Sequence, residues 1–201
     1  MLASSLIDSP YYLLAKDLGY FVVAALGLIV AYRGLHTWKE QIRGNVEYET
    51  ARRLYKAVLK TRDTISYVRN PWIPAAESQE AQEKYPHADK ATANAVYYVR
   101  WEKMKEVLSA LELEQLEAEV LWGKEVIEEL KPIRACVSKL NLYLTDFLRP
   151  SDQKVRKHME THEIIYELRT EIETDAFTNE IDIAVEVVGS FLKSKYKFSS
   201  R

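Results

Sequence analysis

The sequence predicts an all-α protein: one N-terminal transmembrane helix followed by an elongated antiparallel helical bundle or coiled coil. Three observations predict it. Leu18–Tyr32 (LGYFVVAALGLIVAY) is the one long uncharged stretch in the 201 residues. From Ala51 onward, apolar residues recur at steps of three and four, the spacing that lines one face of a helix. No stretch alternates apolar and polar residues as a half-buried strand would.

The apolar run comes first. Its fifteen residues lie between Asp17 and Arg33. As a helix they span about 22 Å, short of the ~30 Å hydrocarbon core of a bilayer. The flanks supply the difference. Arg33 can snorkel outward, Leu35 extends the apolar surface, and Tyr11, Tyr12, Tyr32 and Trp38 suit the two headgroup layers. The start, MLASSLIDSP, has no Lys or Arg and no cleavage site follows, which argues for a signal anchor over a cleaved signal peptide. Lys16 stands alone before the run, whereas Arg33, Lys39, Arg43, Arg52 and Arg53 follow it. That bias places the N-terminus outside and the rest in the cytoplasm, at the inner or plasma membrane. Gly27 and Ala31 form a small-xxx-small pair through which two anchors can pack. The expected division is residues 1–37 as segment and anchor and 38–201 as a cytoplasmic helical domain.

The helices after the anchor are read from their seams. Ala51, Leu54, Val58, Thr61, Ile65 and Val68 mark a helix over about 38–70, ended by Pro71 because the residue before proline disfavours α geometry. Pro71, Pro74 and Pro86 then predict a long loop over 71–88. Tyr97, Trp101, Met104, Leu108, Leu111, Gln115, Ala118 and Trp122 form the next seam. Val126, Leu130, Ile133, Val137, Leu140, Leu144 and Phe147 form another. The step from Trp122 to Val126 is four where three was due, with Gly123 inside it. No loop residues separate the two seams, so the reading is one helix over 89–148, kinked at Gly123 and at Pro132. Pro150 marks a turn and Ser151 an N-cap. A last helix, 151–193, carries Val155, Met159, His162, Ile165, Leu168 and Ile172, then Phe177, Ile181, Ala184, Val188 and Phe191, with a reset near Asp175. The basic tail KSKYKFSSR is expected to fray.

Composition narrows function more than it assigns it. The net charge of −2 gives no global pull toward nucleic acid. The single cysteine, Cys136, makes no internal disulfide. Residues 38–70 hold eight basic and four acidic side chains, net +4; residues 101–131 hold nine Glu and four Lys, net −5. Two helices of opposite charge suit side-by-side packing, and the basic one also suits anionic headgroups.

Motifs for phosphate cradling, dinucleotide binding, C-x-x-C chemistry, H-E-x-x-H and G-x-S-x-G are absent. Di-iron bundles need Glu-x-x-His, and the residues three before each histidine are Arg33, Lys84, Val155 and Met159. His158 and His162 share a helix face at i, i+4, but a third ligand is lacking and His162 continues an apolar stripe, so no metal is expected. Cys136 has Lys131, Arg134 and Lys139 nearby, yet reads as a small buried hydrophobe. Gln115 within an apolar seam can fix register.

These readings predict no catalytic residue, cofactor or metal. They predict a membrane-anchored, non-enzymatic interaction, scaffold or signalling module facing the cytoplasm. Its expected partners are the lipid bilayer, a second copy in a dimer and an unidentified protein. Val107, Leu116 and Val120 beside the main seam are surplus apolar surface for such pairing. The alternatives are a membrane-perturbing effector acting through the anchor and basic helix, or an enzyme with a dispersed site.

Overall fold

The computed structural model describes residues 10–86, 92–149, 158–167 and 175–198. Helix accounts for 91% of the described residues and strand for none, so the chain is all-α. Six helices occur among them: α1 (Pro10–Arg69), α2 (Ala75–Lys84), α3 (Thr92–Trp122), α4 (Glu125–Phe147), α5 (His158–Ile165) and α6 (Ala176–Phe198). Contacts divide the chain into two compact units, Met1–Val46 and Glu47–Arg201, and α1 contributes to both.

In the first unit, α1 carries the apolar run. Large apolar side chains from Leu18 to Leu35 are exposed, Phe21, Leu28 and Tyr32 most of all. One helix among the described residues is long and apolar enough to cross a membrane, and it is this one. A separate helix beginning near residue 38 does not exist. Nothing between Leu35 and Lys39 stops a helix, and α1 runs through that region unbroken.

The second unit has its own core. The first seam on α1 is buried throughout, from Ala51 through Leu54, Val58 and Ile65 to Val68, and α1 ends at Arg69 before Pro71. The loop expected over 71–88 is, over its described residues 71–86, not a plain one. The stretch AAESQEAQEK is made of strong helix formers, and it folds as α2 between Pro74 and Pro86. Ala81 of α2 packs with Ala95, Val96 and Val99 of α3, with Ile73 and Tyr85 closing the small cluster.

The single helix over 89–148 is also corrected. Gly123 has φ +71°, the left-handed conformation that glycine enters without a Cβ penalty. Its N–H donates to the Glu119 carbonyl at 2.8 Å, closing α3, and Glu125 starts α4. The chain reverses here. Tyr97, near the start of α3, meets Phe147, at the end of α4, at 5.7 Å between ring centroids, and Arg134 lies 3.9 Å from Glu112. The two seams face each other instead of continuing one another. Pro132 sits inside α4 without interrupting it.

Side-chain pairs set two pairs of helices in opposite directions, α1 against α3 and α4 against α6. Arg53 of α1 bridges to Glu114 and Glu117 of α3, while Tyr67 accepts from Lys103. Lys139 and Lys195 reach Glu180 and Glu125, which sets α4 against α6. Gly189 of α6 lies against the Tyr55 ring of α1, where an added Cβ would stand 3.2 Å from the ring. The basic and acidic helices thus meet through Arg53, as their charges suggest.

The last helix, expected over 151–193, is two. α5 ends at Ile165, and α6 starts after Asp175, which is its N-cap: the Thr178 N–H donates to Asp175 Oδ1 at 2.9 Å. The backbone remains helical to Phe198, past the point where fraying was expected. Pro150, Ser151, Val155, Leu168 and Ile172 lie outside the described residues, as do the side chains of His158 and Met159.

Candidate functional site

The most distinctive chemistry in the second unit is a pair of buried arginines where α1 ends. Arg69 has 0% exposure and Arg100 1%. A guanidinium cannot lose its charge at ordinary pH, so burial is tolerated only when its donors are occupied.

Arg69 is occupied on all sides. Its Nε donates to the Ile164 carbonyl at 2.8 Å and Nη1 to Thr178 Oγ1 at 2.7 Å. Nη2 reaches the carbonyls of Glu163 and Tyr166 and the Asp175 carboxylate. Its guanidinium carbon lies 4.9 Å from the Phe177 ring centroid. Burial works to raise the Asp175 pKa. Hydrogen bonds from the Thr178 hydroxyl and N–H, then from Arg69, outweigh it and hold the carboxyl below its usual range. One side chain therefore ties the end of α1 to the end of α5 and the start of α6.

Arg100 serves a different segment. It grips Glu77 of α2 with two bonds of 2.9 Å, the fork geometry that arginine offers a carboxylate. It also donates to the carbonyls of Asn70 and Trp72, and stands 5.0 Å from the Tyr67 ring centroid. The Tyr67 hydroxyl donates to the same Glu77 carboxylate. The Arg100 bond holds Glu77 below the ordinary carboxylate range against the opposing effect of burial. Burial and the Glu77 contact push Tyr67 upward. Neither guanidinium reaches solvent, so these clusters position backbone and cannot capture a ligand from water.

What Arg100 positions is an exposed tryptophan. The turn Asn70–Pro71–Trp72–Ile73–Pro74 is fixed by two prolines. The Trp72 N–H donates to Asn70 Oδ1 at 2.9 Å, and its carbonyl accepts from Arg100 at 3.0 Å. Trp72 is nonetheless 76% exposed.

The residues singled out from sequence fall as follows. Cys136 is buried in the core, and burial pushes its thiol up to about 11, which makes it unreactive despite its cationic neighbours. His162 is exposed and does not continue the apolar stripe. Thr161, Ile164 and Ile165 turn inward instead, and its ring rests 4.5 Å from that of Tyr166. Gln115 is buried with its Oε1 lacking a hydrogen-bond partner. Val107 is buried and belongs to the core, so it is not surplus surface; Leu116 (60%) and Val120 (85%) are exposed, with Leu113 beside them. Among the described residues, no three His, Cys, Asp or Glu side chains group to hold a metal ion.

Arg69, Arg100, Asp175 and Trp72 escaped the sequence reading. The one available signal is that Arg100 sits within AVYYVRW, where apolar residues occupy both sides of the helix and leave little room for a solvated face.

Several grooves mark the surface of this unit, including an open one of about 460 Å³ between α4 and α6 around Ile183 and Val187. Another, of about 320 Å³, lies between α3 and α4 and is lined by Tyr98, Trp101, Asn141, Leu144, Thr145, Leu148 and Arg149. A smaller one, about 180 Å³, lies between α1 and α6 around Tyr48, Tyr55 and Leu192. Comparison with protein-family models, with curated proteins and with solved structures finds no match to the chain.

Proposed function

We propose that the chain is a single-span membrane protein whose residues 38–201 form an antiparallel helical bundle in the cytoplasm, acting as a non-enzymatic interaction module. The observation that carries this reading is the exposed apolar stretch of α1. Leu18, Phe21, Leu26, Leu28, Ile29 and Val30 stand exposed among the described residues, and hydrocarbon is the solvent that removes this cost. The Lys and Arg bias after Arg33 supports the inward orientation. On this reading the module sits at the inner or plasma membrane.

The interaction role rests on the second unit. Leu113, Leu116 and Val120 lie at helical spacing on one outer face of α3 and are exposed together, beyond what the core consumes. Confinement to a membrane raises the effective concentration of such surfaces, which favours self-association as a dimer. The basic helix supports a membrane-perturbing role less well. Arg53 is occupied by Glu114 and Glu117, and Arg69 is buried.

Alkaline carbonate extraction of native membranes tests the anchor. The chain should stay in the pellet, and release with peripheral proteins would contradict the reading. Light scattering of the full chain in detergent tests self-association, which a monomer mass at tens of micromolar would contradict.

A further inference from the structure

We propose that two copies pair by reciprocal exchange of Trp72, each indole entering the Tyr98–Trp101–Leu144–Leu148 groove of the other copy. This rests on the self-association reading above and names the surface that would perform it.

The donor side is preformed. The Trp72 backbone is held by Asn70 and Arg100 and flanked by Pro71 and Pro74, yet its indole is exposed. A rigid tryptophan loses little entropy on docking and is the side chain most enriched at interface hot spots. Residues 70–76 (NPWIPAA) carry no charge, so nothing there resists burial in an apolar site.

The acceptor side fits an indole. The groove holds about 320 Å³, within the range of ligand pockets, and is walled by aromatic and leucine side chains. Asn141 and Thr145 on its wall offer oxygens to an indole N–H, which seeks an acceptor when buried. Charges complement as well: Arg149, half-exposed and 3.8 Å from its own Asp146, lines the groove, and exposed Glu80 and Glu83 follow the tryptophan turn on α2.

Donor and acceptor belong to one end of the fold. Arg100, which holds the Trp72 carbonyl, is flanked in α3 by Tyr98 and Trp101 of the groove. A copy therefore carries both halves, and a two-fold arrangement satisfies both at once and closes as a dimer. An anionic membrane surface is a poorer occupant for Trp72, because Glu80 and Glu83 would be repelled there.

The test uses the full chain in detergent with Cys136→Ala as background. One preparation carries Ala75→Cys, on the exposed flank of the tryptophan turn so that the indole is kept, and another Thr145→Cys. Mixed and treated with a short bismaleimide, they should give a crosslinked dimer containing one of each, well above either preparation alone. Trp72→Ala should weaken dimerisation about thirtyfold or more, as loss of a tryptophan anchor does, with thermal unfolding unchanged. A dimer that survives Trp72→Ala without mixed crosslinking, but dissociates on Leu116→Glu, would overturn this surface and leave self-association standing. A wild-type monomer would overturn both. A photo-reactive group at position 72 that labels lipid in vesicles of phosphatidylglycerol and phosphatidylethanolamine, and no second copy, would overturn it in favour of a membrane contact.

Discussion

The fully buried Arg69 guanidinium donates to the Asp175 carboxylate at 2.8 Å, joining residues 106 apart in sequence. That bond, with three backbone carbonyls and Thr178, is how the end of α1 finds α5 and α6. Arg69→Ala strands those carbonyls and the Asp175 charge, and should lower stability by about 3–5 kcal/mol in urea unfolding of the detergent-solubilised chain.

The Arg69 and Arg100 clusters together set an acid limit. Asp175 and Glu77 are both held below their ordinary values of 3.8 and 4.5. A carboxylate depressed in the folded state contributes stability that is complete above the unfolded value and lost as pH falls through the folded one. Unfolding midpoints should therefore change little on these groups' account from pH 7 to about 4.5 and fall below it. Asp175→Asn should flatten part of that fall. A midpoint that declines with the same slope in Asp175→Asn would show the bond carries no linkage.

Gly123 turns the chain in the left-handed region, where an L side chain costs roughly 1–2 kcal/mol. Gly123→Ala should lower stability by that amount although no atom lies within 4 Å of the added Cβ. A neutral effect would mean that α3 and α4 do not reverse there.

Burial separates neighbouring positions on α3. Leu111 is buried whereas Leu108 is partly exposed, so Leu111→Ala should cost about 2–5 kcal/mol and Leu108→Ala less. Glu112→Ala should stay within about 0.5 kcal/mol. Gln115→Leu removes an amide oxygen buried without a partner and should be neutral or stabilising by about 1–2 kcal/mol. Thermal unfolding that ranks Glu112 above Leu111 would contradict the phase of this helix.

Which parts of this fold can be read from sequence follows from the range of the forces involved. Leu54, Val58, Met104, Leu130 and Ile133 are legible because burial needs them every three or four residues, and all are buried. Gly123 is ambiguous because a glycine that kinks a helix and one that reverses it look alike in sequence; only contacts such as Tyr97–Phe147 distinguish them. α2 is masked by the prolines that bracket it. Arg69 and Arg100 are illegible because a charged residue beside a seam normally faces water, and their partners lie far along the chain. Asp175 announced a reset in the pattern but not its role as a cap and counter-ion.

The central claim is that α1 anchors the chain with the helical domain inside. Protease added to sealed cells, stripped of any wall or outer membrane, tests it most directly, with an antibody against the C-terminal segment as readout. The account predicts that residues beyond Arg33 survive until detergent opens the membrane. Digestion of that domain in sealed cells, or its recovery in the soluble fraction, would contradict it.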